Sequence, residues 1–395
     1  MSPQEIAATD LAEAVAQHFE DEFGQRPQGV WRAPGRVNLV GEHVDYQAGL
    51  CLPIALPHST FAAVARRDDD QVRLSSRQQQ GQAWKGTLQQ IGPGTPSGWA
   101  GYLAGVLWAL QQDGIDVPGV DVVVDSAVPV GAGLSSSAAL ECSLALAVAD
   151  LVGLRDDDAG RDRLAAACVR AENEIALAST GGLDQTASLR AQQGHALLLD
   201  CRDGSVQQVS MDLDAAGLVL LIVDTRAPHR LVDSEYSARR QDCSRAAEVL
   251  GTSSLREVED LGAALQQLSS DAPDLVPRVR HVVSEIQRVR TVADLLREGS
   301  PTDIGGLLDA SHESLRHDYE VSSPELDVVV ETARTAGALG ARMTGGGFGG
   351  SAIALVPANE VSRVQQQVCT AFAERDWQAP AFVRADACGA AERVR

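Results

Sequence analysis

Lysine is nearly missing from this chain. Lys85 is the only one, and it sits in Gln82-Ala83-Trp84-Lys85-Gly86-Thr87, a plain polar context. A Walker A loop needs a lysine beside its last glycine, and a protein kinase needs a strand lysine paired with a helix glutamate. Pyridoxal enzymes need a lysine for their Schiff base. Those classes drop out, so nucleotide binding here has to rest on backbone amides, a metal ion and arginine. Positive charge is scarce altogether: net charge is −21 and the pI is near 4.7. That argues against a nucleic-acid or anionic-membrane surface. Phosphate chemistry in such a chain calls for locally concentrated cations or a divalent ion.

Other absences narrow the class further. The seven cysteines (Cys51, Cys142, Cys168, Cys201, Cys243, Cys369 and Cys388) are odd in number and scattered, with no C-x-x-C pair. They read as reduced thiols of a cytosolic protein rather than disulfides or zinc ligands. No apolar run reaches membrane length, because Glu141 and Asp150 interrupt the longest candidate. Met1 to Glu22 is amphipathic and acidic, without a basic start. His195, His229, His281, His312 and His317 form no metal-spaced cluster and read as structural or surface residues. There is no internal repeat and no Pro/Ser-rich linker. The expectation is a soluble cytoplasmic protein with no nucleic-acid or membrane partner, and with a monomer favoured.

At 395 residues the chain exceeds one ordinary core, so two domains are expected. Spacing predicts a helix over 5–23 and β-rich segments at 30–40, 51–56, 60–66 and 71–75. A helix over 98–112 and a strand at 122–124 follow, then helices over 136–152 and 161–178 and a short one from Leu183. Strands are expected at 195–200 and 217–224. Helices are expected over 233–249, 255–268, 278–297 and 303–317, and Ser323-Pro324-Glu325 reads as a capped helix start. A glycine-rich segment then leads to a strand over Ser351–Val356 and a last helix over 358–375. Strands gather early and helices late: an α+β arrangement of two lobes, 1–200 and 201–395.

Three glycine-bearing segments carry the chemistry. Gly35-Arg36 through Gly41-Glu42-His43-Val44-Asp45-Tyr46 sets Glu42, His43 and Asp45 within four residues. A loop presenting several acceptors in a small volume suits a polyhydroxyl ligand; it also reads as a solvated acidic loop. Gly131-Ala132-Gly133-Leu134-Ser135-Ser136-Ser137 lies between a β run and an Ala/Leu helix, where bare N–H groups and the positive helix end hold phosphate. A dinucleotide fingerprint is the competing reading, but Ser136 stands where its third glycine belongs. Arg342 through Ser351 offers backbone that can approach a ligand closely. Glu172 borders the apolar stripe Leu164, Cys168, Ala171 and Ile175, so it needs a cation or a partner such as Arg170 or Arg190. Asp184 follows Gly181-Gly182 near a helix start, as a helix cap or as an exposed carboxylate.

These segments, in this order and spacing, resemble the galactokinases of the GHMP kinase family over roughly residues 26 to 356. The resemblance implies a two-lobed fold with the active site between the lobes. It also implies ATP-dependent phosphorylation of galactose at its anomeric hydroxyl, with Mg²⁺, as the first committed step of galactose catabolism. By the same resemblance Asp184 is the catalytic acceptor and Arg36 its partner. Glu42, His43, Asp45 and Tyr236 contact the sugar, and Gly131 to Ser137 hold the triphosphate. Ser137 and Glu172 hold magnesium, the latter within Ala171-Glu172-Asn173-Glu174, while Ser76 and Trp99 are further ATP candidates. The chain departs from the family at Val44, Gln47-Ala48 and Thr180-Gly181-Gly182-Leu183. A kinase for N-acetylgalactosamine or galacturonate, and a galactose-sensing regulator without turnover, are the rivals. The intact serine loop and Asp184 count against the sensor.

Overall fold

Helix α1 (Pro3–Phe23) turns Val15, Ala16 and Phe19 inward against Val30, Phe61 and Val123. In this computed structural model, which describes residues 3–178, 180–227 and 232–395, the chain continues through β1 (Gly29–Asn38), β2 (Leu50–Cys51), β3 (Pro53–Arg66), β4 (Gln71–Ser76) and β5 (Trp84–Thr87). Helix α2 (Trp99–Gln112), β6 (Val120–Ser126), α3 (Ser136–Leu151), α4 (Asp158–Arg170) and α5 (Leu183–Arg190) follow. Strands β7 (His195–Asp200), β8 (Ser205–Ser210) and β9 (Leu218–Asp224) then precede α6 (Val232–Leu250), α7 (Leu261–Asp271), α8 (Val276–Arg297), α9 (Gly305–Ser314) and α10 (Pro324–Thr335). The chain ends with β10 (Gly340–Thr344), β11 (Ser351–Pro357), α11 (Val361–Ala373), β12 (Ala381–Ala385) and β13 (Glu392–Arg393). The architecture is α+β, as the order of elements predicted.

Among the described residues three sheets form, in the orders β13-β1-β3-β6-β4-β5, β10-β11-β9-β12 and β2-β7-β8. The first is antiparallel except where β4 runs parallel to β6, and its inner face packs on α2 and α3 through Val64, Val122, Leu103 and Leu144. The largest core joins Val37, Leu39 and Ile54 to the second sheet and to Val279 and Val282 of α8. So the strand that carries Arg36 is buried against both halves of the chain. Among the described residues no helix is long and apolar enough to cross a membrane.

Several elements differ from the sequence reading. The helix expected over 161–178 is α4 continued by one π turn, Ala171–Ile175, and this wide turn carries Glu172. The helix expected over 303–317 likewise ends in a π turn, Leu315–Tyr319. The helix expected from 255 starts at Leu261, because Asp260 accepts a cap hydrogen bond from Ala263 N and leaves 255–257 as a single 3-10 turn. Strands β5, β8, β12 and β13 were not foreseen; all four are edge strands, β5 and β8 pairing with the preceding strands β4 and β7, and β12 and β13 pairing far along the chain with β9 and β1. The glycine-rich segment also contains a strand, β10, before its glycines.

Candidate active site

Asp184, on the first turn of α5, is held from two sides. Arg36 Nε and Nη2 both donate to Oδ1 at 2.8 Å, and the Ser135 hydroxyl donates to Oδ2 at 2.6 Å. The helix-cap alternative therefore fails: Gly182, not Asp184, is the capping residue, and both carboxylate oxygens are bonded to groups outside the helix. Arg36 comes from β1, and its Nη1 also donates to Gly133 O at 2.7 Å. One guanidinium thus ties the carboxylate to the backbone of the serine loop.

The Gly41–Tyr46 segment helps form a cavity of about 170 Å³ lined by Arg36, Glu42, His43, Asp45, Glu172, Asp184 and Tyr236, with Gly181 and Gly346 among the rest. Glu42 is buried and crowded with donors. It accepts from Asn38 Nδ2 (2.7 Å), Thr344 Oγ1 (3.1 Å) and Gly345 N (2.9 Å), and is ion-paired with Arg342 at 2.7 Å. His43 Nε2 faces the Gly346 carbonyl at 3.1 Å, so that nitrogen carries the hydrogen and Nδ1 accepts from the Tyr46 hydroxyl at 2.9 Å. Burial, with His281 nearby, pushes His43 down to about 3, so the ring is neutral. Burial first, then the Asp184 carboxylate, raises Asp45 to about 6. Asp45 lies so close to Gly181 that a Cβ there would come within 2.0 Å of Oδ2; only glycine permits the approach. Tyr236 stacks tilted on His43 at 5.4 Å between ring centres.

The serine loop runs into the N-terminus of α3. Ala132 and Leu134 are buried and anchor it, while Gly131 is exposed and Ser135 to Ser137 are half-exposed. Ser135 occupies the cap position in a left-handed conformation and makes no side-chain cap bond, because its hydroxyl is spent on Asp184. That leaves the first amides of a 16-residue helix without a side-chain cap, the arrangement that attracts an anion. Glu172, buried, accepts from Gln185 Nε2 at 2.7 Å, and the Ser137 hydroxyl lies beside its carboxylate. Burial, with Asp184 as the second cause, lifts it to about 7. The expected arginine partners are engaged elsewhere: Arg170 with Glu174 and Asp113, Arg190 with Asp158 and Asp162. The salt-bridge reading of Glu172 is thereby set aside.

Three family signatures match the chain: the galactokinase galactose-binding signature over residues 17–66, the GHMP kinase N-terminal domain over 101–192 and the GHMP kinase C-terminal domain over 292–374. The galactokinase of Streptomyces coelicolor is 48% identical over 97% of this chain and 99% of its own length. That of Mycobacterium bovis is 46% identical over 91% of this chain and 98% of its own. This chain is a member of the galactokinase family. A crystal structure of Lactococcus lactis galactokinase complexed with galactose superposes with a TM-score of 0.91 at 31% identity, covering 97% of this chain and 99% of that one. Methanococcus jannaschii mevalonate kinase shares the fold, with a TM-score of 0.65 at 16% identity.

Within this galactokinase fold the sequence-predicted residues do not all meet. Arg36, Glu42, His43, Asp45, Glu172, Asp184 and Tyr236 share one cavity. Ser76 and Trp99 stand outside it: Ser76 is bonded to Gln78, and Trp99 walls a second cavity with Trp84. His281 is structural, bonded to Ser314 and to the Glu42 carbonyl. His229, and the stretch 228–231 within the resembling segment Asp224–Arg240, lie outside the described residues. Sequence reasoning missed Arg342, Glu285 and Gln185. Glu285 accepts from Gly41 N at 2.9 Å and so holds the sugar loop from α8. An arginine within the third glycine segment of an acidic chain was the available signal for Arg342.

Proposed function

We propose that this chain, a GHMP sugar kinase, transfers the γ-phosphoryl group of ATP to the anomeric hydroxyl of α-D-galactose, giving galactose 1-phosphate and ADP. The observation that carries the reading is Asp184, held by Arg36 and Ser135 where the sugar cavity meets the serine loop. In this reading Asp184 orients the anomeric hydroxyl and accepts its proton as the sugar oxygen bonds to the γ-phosphorus. The bond from that phosphorus to the β–γ bridging oxygen breaks, and ADP leaves. Arg36 offsets charge on the transferring group, and the amides of Gly131 to Ser137 hold the phosphates. Glu42, His43, Asp45 and Tyr236 orient the sugar. Asp45 would read the 4-hydroxyl, since an unpaired buried acceptor penalises the epimer.

Glu172 and Ser137 fit a magnesium ion: a buried carboxylate and a hydroxyl side by side, with the remaining ligands left to phosphate and water. Mg²⁺ held there would neutralise phosphate charge. Trp99, with Trp84, walls a cavity large enough for a purine, which supports its assignment to the adenine end with Ser76 nearby on β4. Seven free thiols support a cytoplasmic place, at the entry to galactose catabolism. A coupled ADP-release assay across galactose, glucose, N-acetylgalactosamine and galacturonate tests the reading. Galactose should turn over and glucose should not. ADP release with none of the four would point to sensing without turnover.

A further inference from the structure

A further cavity, of about 780 Å³ and separate from the catalytic cavity and from the one walled by Trp84 and Trp99, opens among the turn after β7, the segment entering α7, and α8. Its lining holds four arginines, Arg202, Arg256, Arg288 and Arg290, against one carboxylate, Glu259. In a chain of net charge −21 such a concentration is the exception. Arg256 is the interior member. Its side chain is 9% exposed, Nη2 donates to Asp200 at 3.0 Å, and the buried Nη1 has no hydrogen-bond partner among the described residues. A buried donor left without an acceptor is costly unless a ligand supplies one. Burial, then the like charges of Arg290 and Arg202, push the Arg256 guanidinium below its ordinary value.

The counter-ions do not suffice. Asp200 is shared between Arg256 and Arg202, the latter at 3.3 Å. Glu285 takes Arg288 Nε at 2.6 Å, and Arg290 is bonded only to the neutral Gln287 among the described residues. The remaining wall is largely apolar, with Leu255, Val258, Ile286 and Leu307. Converging guanidinium groups favour a phosphate, and a cavity of this size with apolar walls favours an organic body attached to it.

We propose that this cavity binds a small phosphorylated metabolite, its phosphate held by Arg256 and Arg290, and that occupancy is felt at the sugar loop. Two hydrogen bonds provide the connection. Leu255 N, beside Arg256, donates to Gln47 Oε1 at 3.1 Å. Glu285, which holds Arg288, accepts from Gly41 N. Gly41 and Gln47 bracket Glu42, His43 and Asp45, so an anion that draws Arg256 or Arg288 inward pulls on both ends of that loop.

Calorimetry tests this with the catalytic cleft filled by galactose, magnesium and a non-hydrolysable ATP analogue, using inorganic phosphate and glucose 6-phosphate as probes. The expected result is one further saturable site from which glucose 6-phosphate displaces phosphate. Arg256→Gln should weaken it roughly tenfold or more, from the loss of a charge-assisted hydrogen bond. Arg290→Gln, on an exposed position safe for folding, should weaken it as well. Glucose 6-phosphate should also shift the galactose KM about fivefold or more in the wild type and not in Arg256→Gln. Absence of saturable binding overturns the proposal. Binding that both variants leave unchanged means an adventitious ion only, and a failure of glucose 6-phosphate to compete, or an unmoved KM, overturns the metabolite assignment or the coupling.

Discussion

Both oxygens of Asp184 are held, Oδ1 by Arg36 and Oδ2 by Ser135, so the carboxylate has a fixed direction before any substrate arrives. Asp184→Asn should fold normally and lose roughly 10²–10⁴-fold in kcat, the usual effect of removing a placed proton acceptor. Ser135→Ala, which leaves Arg36 in place, should cost less. A near-wild-type kcat for Asp184→Asn in the ADP-release assay would remove Asp184 from the chemistry. Asp45 gives a separate test through pH. Its folded value, about 6, lies above its ordinary 3.8, so between these values the folded chain keeps a proton that the unfolded chain has lost. Burying the ionised form therefore lowers stability, fully above about pH 6 and not at all well below pH 4. Without sugar at pH 8, Asp45→Asn should be more stable than wild type, by at most about 3 kcal/mol. The gain should vanish towards pH 4, and urea titrations at the two pH values measure it. The residue types of this site were legible in the sequence. The bond from Ser135 to Asp184 was not, because it spans 49 positions and only the folded chain closes it.

At the scale of elements, Gly181 shows how closely the segment before α5 approaches the Glu42–Tyr46 segment. The carboxyl of Asp45 occupies the space where a Cβ at position 181 would stand. Gly181→Ala should therefore raise the galactose KM markedly, by roughly tenfold or more if one charged hydrogen bond is displaced, and leave the KM for ATP nearly unchanged. Equal changes in both constants would mean that the loop serves the whole cleft. Helices with caps or clear spacing were legible: Ser323 does accept from Leu326 N, and α3 begins at Ser136. The π turn that carries Glu172 was not legible, since a run of apolar residues at helical spacing reads the same whether one turn is wide or regular. Strands β12 and β13 were missed for a related reason. Each is an edge strand whose pairing, to β9 and β1, crosses more than half of the chain in the case of β13.

At the scale of the whole molecule, a buried ionic latch joins the early sugar motif to late elements. Arg342 on β10 pairs with Glu42 at 2.7 Å and stands 3.8 Å from Glu285 of α8, which in turn holds Gly41. Charge alone in the sequence could not pair these three, because they come from opposite ends of the chain. Arg342→Met leaves the buried Glu42 carboxylate without its cation, while Glu285 keeps Arg288, and should cost about 3–5 kcal/mol of stability. Denaturant unfolding reads that loss, and a change below about 1 kcal/mol would make the latch incidental. The same latch places the sugar cavity beside Asp184 and the serine loop, and the central claim is that the oxygen phosphorylated there is the anomeric one. Phosphorus NMR of the product formed from galactose and ATP tests it most directly. The account predicts a single phosphate coupled to H1 of the sugar; a phosphate coupled to the H6 protons would contradict it.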